Sequence, residues 1–258
     1  MPSHRGAPGC VLITIPISHY CEKARWALDR AGVAFRERRH LQVAHWIPVR
    51  RAGGGWTAPV LVCGATALAD SSDIVRWADG RAPAGRRLFP DAAGAAAEVR
   101  SLERDLDARL GPHGRRWMYD ALRGHRDVVV KYAPTGVPAW ERRLLGLGYP
   151  VVARVIDRYL DIDPASAAAS EREFHVVLDE IAERLADGRR YLVGERFSAA
   201  DLTFAALAAP LVMPAEYAVP LPQPGELPAA MGAKVRELRE HPAGAFALRM
   251  FREERRAA

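Results

Sequence analysis

Cysteine is scarce in this chain: Cys10, Cys21 and Cys63 are the only three among 258 residues. So sparse and odd a set excludes the disulfide framework of a small secreted domain, and free thiols in a reducing compartment are expected. No apolar run reaches the roughly 20 residues that span a bilayer, so no membrane helix is expected. The opening residues, "MPSHRGAPGC", lack the long apolar region of a secretory signal, which makes the cytoplasm the expected location. Zinc-ligand spacings are missing, and no metal is expected. Basic runs interleaved with aromatics are missing as well. The formal net charge of +6 comes from arginines scattered among acids, as in "SLERDLDARL". Opposite charges at that spacing read as solvated helix faces, so nucleic acid is not expected as a partner. There is no internal repeat.

What remains is an ordinary globular composition, 49% hydrophobic and 26% charged, long enough for one large domain or two smaller ones. Cys10 to Ile15 is apolar and β-branched and reads as a buried strand, and Cys21 to Ala31 reads as a helix closed by Gly32. Val33 to Arg38 alternates like a second strand. After a loop rich in Gly and Arg, "APVLV" and "ATALA" flank Cys63-Gly64 as a hairpin would. "DSSDIVRWADG" then supplies polar caps, a short helix and a glycine stop at Gly80. Beyond this β-α-β, β-β-α order the chain changes character. Residues 82–91 are a Pro/Gly-rich linker, and 92–258 read as all helical. Helices are expected over 92–110, from Pro138 to about Leu160, from Asp163-Pro164 to Gly188, and over 228–256 with a break at His241-Pro242. Ser198 and Asp201 form a capping box with Phe197 as its hydrophobic staple.

The stretch "IPISHYCEKARWAL" holds the main chemical question. It sets a hydroxyl and a thiol three residues apart where a strand turns into a helix. Ser18 is either a plain N-cap or a group that handles a thiol; Cys21 is either a small buried residue or a reactive one. Tyr20 is a second hydroxyl, two residues away and not bound to face the same side. His19 is either a loop histidine or a charge that tunes a neighbouring thiolate. Residues 112–150 carry Trp117, Tyr119, Tyr132, Trp140 and Tyr149 among prolines, and read as an irregular segment that either lines an apolar pocket or packs under a loop.

Four segments resemble the cytosolic glutathione transferases, in the family's order and across nearly the whole chain. "SHYCEKARWAL" is similar to the family's Ser-Pro-x-x-x-Lys-x-Arg, "TAPVLV" to its Val-Pro-x-Leu with a cis proline, "ADSSDI" to its Glu-Ser-x-x-Ile turn, and "YLVGERFSAADLTFAAL" to the capping box of its helical domain. The resemblance implies a thioredoxin-like α/β domain (residues 1–81) and an all-α domain (92–258). It also implies glutathione as co-substrate, a small hydrophobic electrophile as second substrate, and a homodimer. Ser18 would donate to the glutathione sulfur, and Cys21 would occupy the second cysteine position of redox relatives. The backbone of Ala58 before Pro59 would pair with the cysteinyl part, Asp70 and Ser71 would hold the γ-glutamyl end, and His45 or Arg50 the glycyl carboxylate. Trp117 and Tyr119 would line the electrophile pocket. Where the family has proline and glutamate, this chain has His19 and Asp70. A fold retained for binding without catalysis, or thiol-disulfide exchange through Cys21, are the competing functions.

Overall fold

The computed structural model describes residues 9–255. Strand β1 (Cys10–Thr14) leads into helix α1 (His19–Arg30), then β2 (Arg36–Arg39), a short α2 (Trp46–Arg51), β3 (Val60–Cys63), β4 (Thr66–Leu68) and α3 (Ser71–Asp79). The sheet order is β2-β1-β3-β4, with β1 and β2 parallel and the other two pairings antiparallel. A helical domain follows: α4 (Ala93–Ala121), α5 (Arg126–Tyr132), α6 (Ala139–Tyr159), α7 (Pro164–Leu185), α8 (Ala199–Val212), α9 (Ala229–Glu240) and α10 (Pro242–Met250), ending in a wide turn over Phe251–Arg255. This is the mixed-sheet domain and helical domain that the resemblance implied.

β1 is a continuous apolar run because it is covered on both faces. Leu12 and Leu61 join the main core with α1 and α3, while Ile13 and Val60 meet Val49 of α2 in a smaller cluster. α8 is buried along its whole length, as an apolar helix at the centre of a bundle must be. Between the domains, Trp26 of α1 lies 5.5 Å from the Phe197 ring and 5.0 Å from that of Phe251.

Four expectations need correction. Cys10 and Cys63 are not free thiols: they stand opposite each other in the β1–β3 register and form a disulfide, and only Cys21 is free. The argument from cysteine count to a reducing compartment therefore loses two of its three thiols. The loop after β2 contains the short helix α2, which Pro48 and the arginine-rich sequence disguise. α4 does not stop near residue 110 but runs through Pro112 to Ala121. A proline inside a helix costs about 3 kcal/mol. Here that cost is offset by burial of Val99, Leu106, Leu110 and Trp117 in the core formed with α7 and α8. Trp117 and Tyr119 are thus on a regular helix.

The fourth correction concerns charge. Lys23, Arg25, Glu22 and Glu103 are buried, not solvated. Lys23 Nζ reaches Glu103 at 3.0 Å, Asp107 at 2.7 Å and the Ser72 hydroxyl at 2.7 Å, tying α1 to α3 and α4. Arg25 pairs with Glu37 at 2.6 Å and donates to the Ile15 carbonyl at 3.2 Å. Such pairs are sustained only because every buried charge has a partner.

Candidate functional site

The chain leaves β1 at Thr14, turns at Pro16, and enters α1 with Ser18 as its N-cap in extended conformation (φ −74°, ψ 121°). The turn is closed by the Ser18 N–H on the Ile15 carbonyl at 3.1 Å. Ser18 Oγ accepts the Cys21 N–H at 3.4 Å. The structure therefore shows Ser18 as the cap of α1, and a hydroxyl that accepts one bond retains its own proton to donate. That O–H stands at the wall of a partly open cavity, which Ser18 shares with His45, Ala58, Arg115, Tyr119 and Tyr159. The Ala58–Pro59 peptide bond is cis. Beyond it Asp70 caps α3, its Oδ1 accepting the Ser72 N–H at 2.8 Å and the Asp73 N–H at 3.2 Å, with Ser71 buried as the first helical residue.

The neighbours of Ser18 have other duties. Tyr20 donates its hydroxyl to the Asp107 carbonyl at 2.9 Å, and burial raises its pKa above the ordinary phenol range. A β-carbon on Gly111 of α4 would stand 2.1 Å from that hydroxyl, so a larger residue there would displace the Tyr20 ring. His19 is 2% exposed, and its Nε2 is buried without a partner. Burial and then the charge of Arg115 lower its pKa to about 3, against a hydrogen bond with the Gly111 backbone. His19 is therefore neutral near pH 7 and does not tune a thiolate by its charge. Cys21 is fully buried and its Sγ accepts the Ile15 N–H at 3.4 Å. Burial pushes this thiol up, outweighing Arg25 nearby. Exchange chemistry needs an accessible, low-pKa thiol, and Cys21 is neither. Iodoacetamide at pH 7 is expected to leave Cys21 unmodified in the folded protein over hours and to modify it on unfolding. Rapid labelling of the native chain, read by mass spectrometry, would contradict this assignment.

Two family models match this sequence: the glutathione S-transferase N-terminal domain over residues 12–86 and the glutathione S-transferase C-terminal domain over residues 164–232. The chain belongs to the glutathione S-transferase family. Solved structures of the same fold include a glutathione S-transferase from Xanthobacter autotrophicus Py2, 18% identical with a TM-score of 0.59, over 95% of this chain and 93% of that one. Another, from Methylobacillus flagellatus KT with GSH bound, is 17% identical with a TM-score of 0.60, over 96% and 98%. The theta class enzyme of Xanthomonas axonopodis pv. citri, solved with glutathione bound, is 22% identical with a TM-score of 0.52, over 94% and 97%. At these identities the likeness is one of fold. No curated protein matches the sequence.

The two matched stretches leave residues 87–163 outside either family model. That segment holds α4, α5 and α6, and it supplies outer walls of the site in this chain. Glu141 of α6 is buried, receiving the Leu41 N–H at 2.6 Å and standing 2.6 Å from His40 Nδ1, which docks α6 on the loop after β2. Tyr159 and Leu160, at the far end of α6, then close the first cavity. A second, partly open cavity adjoins it, sharing Ile17, Met118 and Tyr119, and is walled by apolar side chains such as Leu122, Val128 and Met213.

Sequence and structure part on three of the proposed ligand-binding side chains. Trp117 does not line either cavity; it is buried in the helical core, edge-on to Phe174 at 5.7 Å. Tyr119, two positions on and so on a different face of α4, borders both cavities. Arg50 is turned outward, its guanidinium 4.2 Å above the exposed Trp56 ring in a groove against α6. His45 lines the first cavity, but its Nε2 is spent on the Trp56 carbonyl at 3.0 Å and burial lowers its pKa. Neither offers that cavity a cation. The cation that the cavity does have, Arg115, was missed. Its only sequence signal was an arginine one helical turn before Tyr119, and that signal required knowing that α4 continues past Pro112.

Proposed function

We propose that this family member binds glutathione and uses Ser18 to hold its thiol as thiolate for attack on a small hydrophobic electrophile. The observation that carries the reading is the position of the Ser18 hydroxyl, on the cavity wall at the amino end of α1. A free thiol has a pKa of about 8.5. A hydroxyl donor and the positive end of a helix both favour the anion, so a larger share of bound thiol is nucleophilic at neutral pH. The rest of the arrangement is consistent with the tripeptide. Among the described residues the Ala58 backbone N–H and C=O have no hydrogen-bond partner, which leaves them for an extended ligand segment. The second Asp70 oxygen is free to meet an ammonium while the first caps α3. The apolar second cavity would take the electrophile, held next to the sulfur so that the attack is effectively intramolecular. The sulfur lone pair forms the C–S bond, and the displaced pair leaves with a halide or moves onto an adjacent carbonyl.

Calorimetric titration with glutathione tests the reading. Binding between micromolar and millimolar, weakened about three- to tenfold by Ser71→Ala through loss of one hydrogen bond to the ligand, is expected. Absence of heat, together with no competition by glutathione thioethers, would overturn it.

A further inference from the structure

We infer that the electrophile this site accepts carries a carboxylate close to its reactive carbon, and that Arg115 receives it. The inference rests on the transferase reading above and adds the class of second substrate.

Of the other arginines on α4, Arg100 and Arg104 are exposed, whereas Arg109 and Arg116 are half-buried and have partners. Arg109 is held by Glu173 at 2.7 Å and Glu180 at 2.7 Å, and Arg116 donates to the Ser170 hydroxyl at 3.1 Å and the Leu160 carbonyl. Among the described residues Arg115 makes no hydrogen bond and no ion pair, and its Nε is buried without a partner. It borders the Ser18 cavity. No acid lines that cavity to neutralise it. Asp107 pairs with Lys23 and Ser72 through one of its oxygens and Asp70 caps α3 through one of its own, and neither forms an ion pair with Arg115. His19 and His45 face the same space in neutral form. A guanidinium partly removed from water without an anion is costly, and its fork of donors matches a carboxylate. The charge is also felt across the cavity: it acts on His19, Tyr20 and Tyr119 alike.

Position supplies the substrate's shape. Arg115 borders only the polar cavity, whereas Met118 and Tyr119, about one turn further along α4, border both. An electrophile whose apolar body fills the second cavity returns its polar end to Arg115, beside Ser18. The carboxylate therefore lies within a few bonds of the carbon that meets the sulfur. An aryl oxo-enoic acid fits this description. The thiolate sulfur bonds to the alkene carbon, the π pair shifts toward the ketone oxygen, and the adjacent carbon takes a proton from water. The sum is addition of the thiol across the double bond, with no leaving group.

The experiment compares trans-benzoylacrylic acid with its methyl ester, both with glutathione at pH 7, each rate divided by its own uncatalysed rate. We expect the acid to be favoured about tenfold or more in kcat/KM, as a charge-assisted hydrogen bond allows. Arg115→Gln should collapse the acid-to-ester ratio toward one, and Arg115→Lys should restore part of it. Equal normalised rates in the native enzyme would overturn the inference while leaving the transferase reading intact. A raised KM for glutathione in Arg115→Gln with an unchanged ratio would also overturn it, and would assign Arg115 to the tripeptide. No turnover of acid or ester, with no glutathione binding, would overturn both readings.

Discussion

Replacing Ser18 with alanine is expected to lower kcat for glutathione conjugation at pH 7 by about one to two orders of magnitude, with a much smaller change in glutathione affinity. The hydroxyl contributes a donor at the position where charge must be held on sulfur, and removing one preorganised donor of this kind typically has such an effect. Affinity for the tripeptide rests on other groups, the Ala58 backbone and the α3 amino end. The cap lost with Oγ is a modest one, since its bond to the Cys21 N–H is long at 3.4 Å. The pH profile distinguishes chemistry from damage. In the alanine variant the thiol ionises near its own pKa of about 8.5, so the rate should climb between pH 7 and 9 toward that of the native enzyme. His19 adds no limb to either profile above pH 5, because it is already neutral there. Unchanged kcat in Ser18→Ala at pH 7 would reduce Ser18 to a helix cap.

Asp201→Ala is expected to cost about 3 kcal/mol of stability at pH 7, measured by denaturant unfolding. Asp201 is fully buried and takes three bonds, from Leu192 N–H at 2.7 Å, Ser198 N–H at 2.8 Å and the Ser198 hydroxyl at 2.7 Å. Alanine leaves two buried backbone donors and one hydroxyl without acceptors, each worth roughly 1 kcal/mol or more when orphaned. The Ser198 donors begin the central helix α8, the Leu192 donor ties the preceding loop to it, and Phe197 beside them packs on Trp26 of α1, so the loss reaches the contact between domains. The pH dependence has a definite sign. Burial raises the Asp201 pKa from 3.8 to about 6, against the opposing hydrogen bonds. A carboxyl raised in the folded state adds stability that is complete below pH 3.8 and lost as pH rises through 6. The alanine variant lacks that gain, so its deficit relative to the native chain should grow as pH falls from 6 to 4. A deficit that shrinks over this range would contradict the assignment, and one below about 0.5 kcal/mol at pH 7 would mean that the box is not structural.

Much of the local architecture was legible because its causes are local. The apolar β-branched run of β1, the Gly32 turn in left-handed conformation at φ 68°, the hairpin at Gly64 and the Asp163-Pro164 start of α7 all depend on a few adjacent residues. The caps at Ser18 and Asp70 were legible for the same reason. α4 was cut short because Pro112 is a local breaker overruled by burial along its flanks, and this error made Trp117 look like a pocket residue and hid Arg115. The acids of "SLERDLDARL" looked solvated because the partner of Glu103 and Asp107, Lys23, lies far back along the chain.

By itself, then, the sequence determined the strands, α1, α3 and the starts of α6, α7 and α8, with their caps and turns, and the hydroxyl set at the head of α1, since dihedral preference and hydrogen bonding between near neighbours act over one or two turns. Only the tertiary structure decided that Cys10 meets Cys63, that Lys23 meets Glu103, that Cys21 is sealed, and that Arg115 faces a cavity without a partner. Those facts depend on strand register, helix rotation and burial, which join residues tens of positions apart and leave no periodic trace in either segment alone.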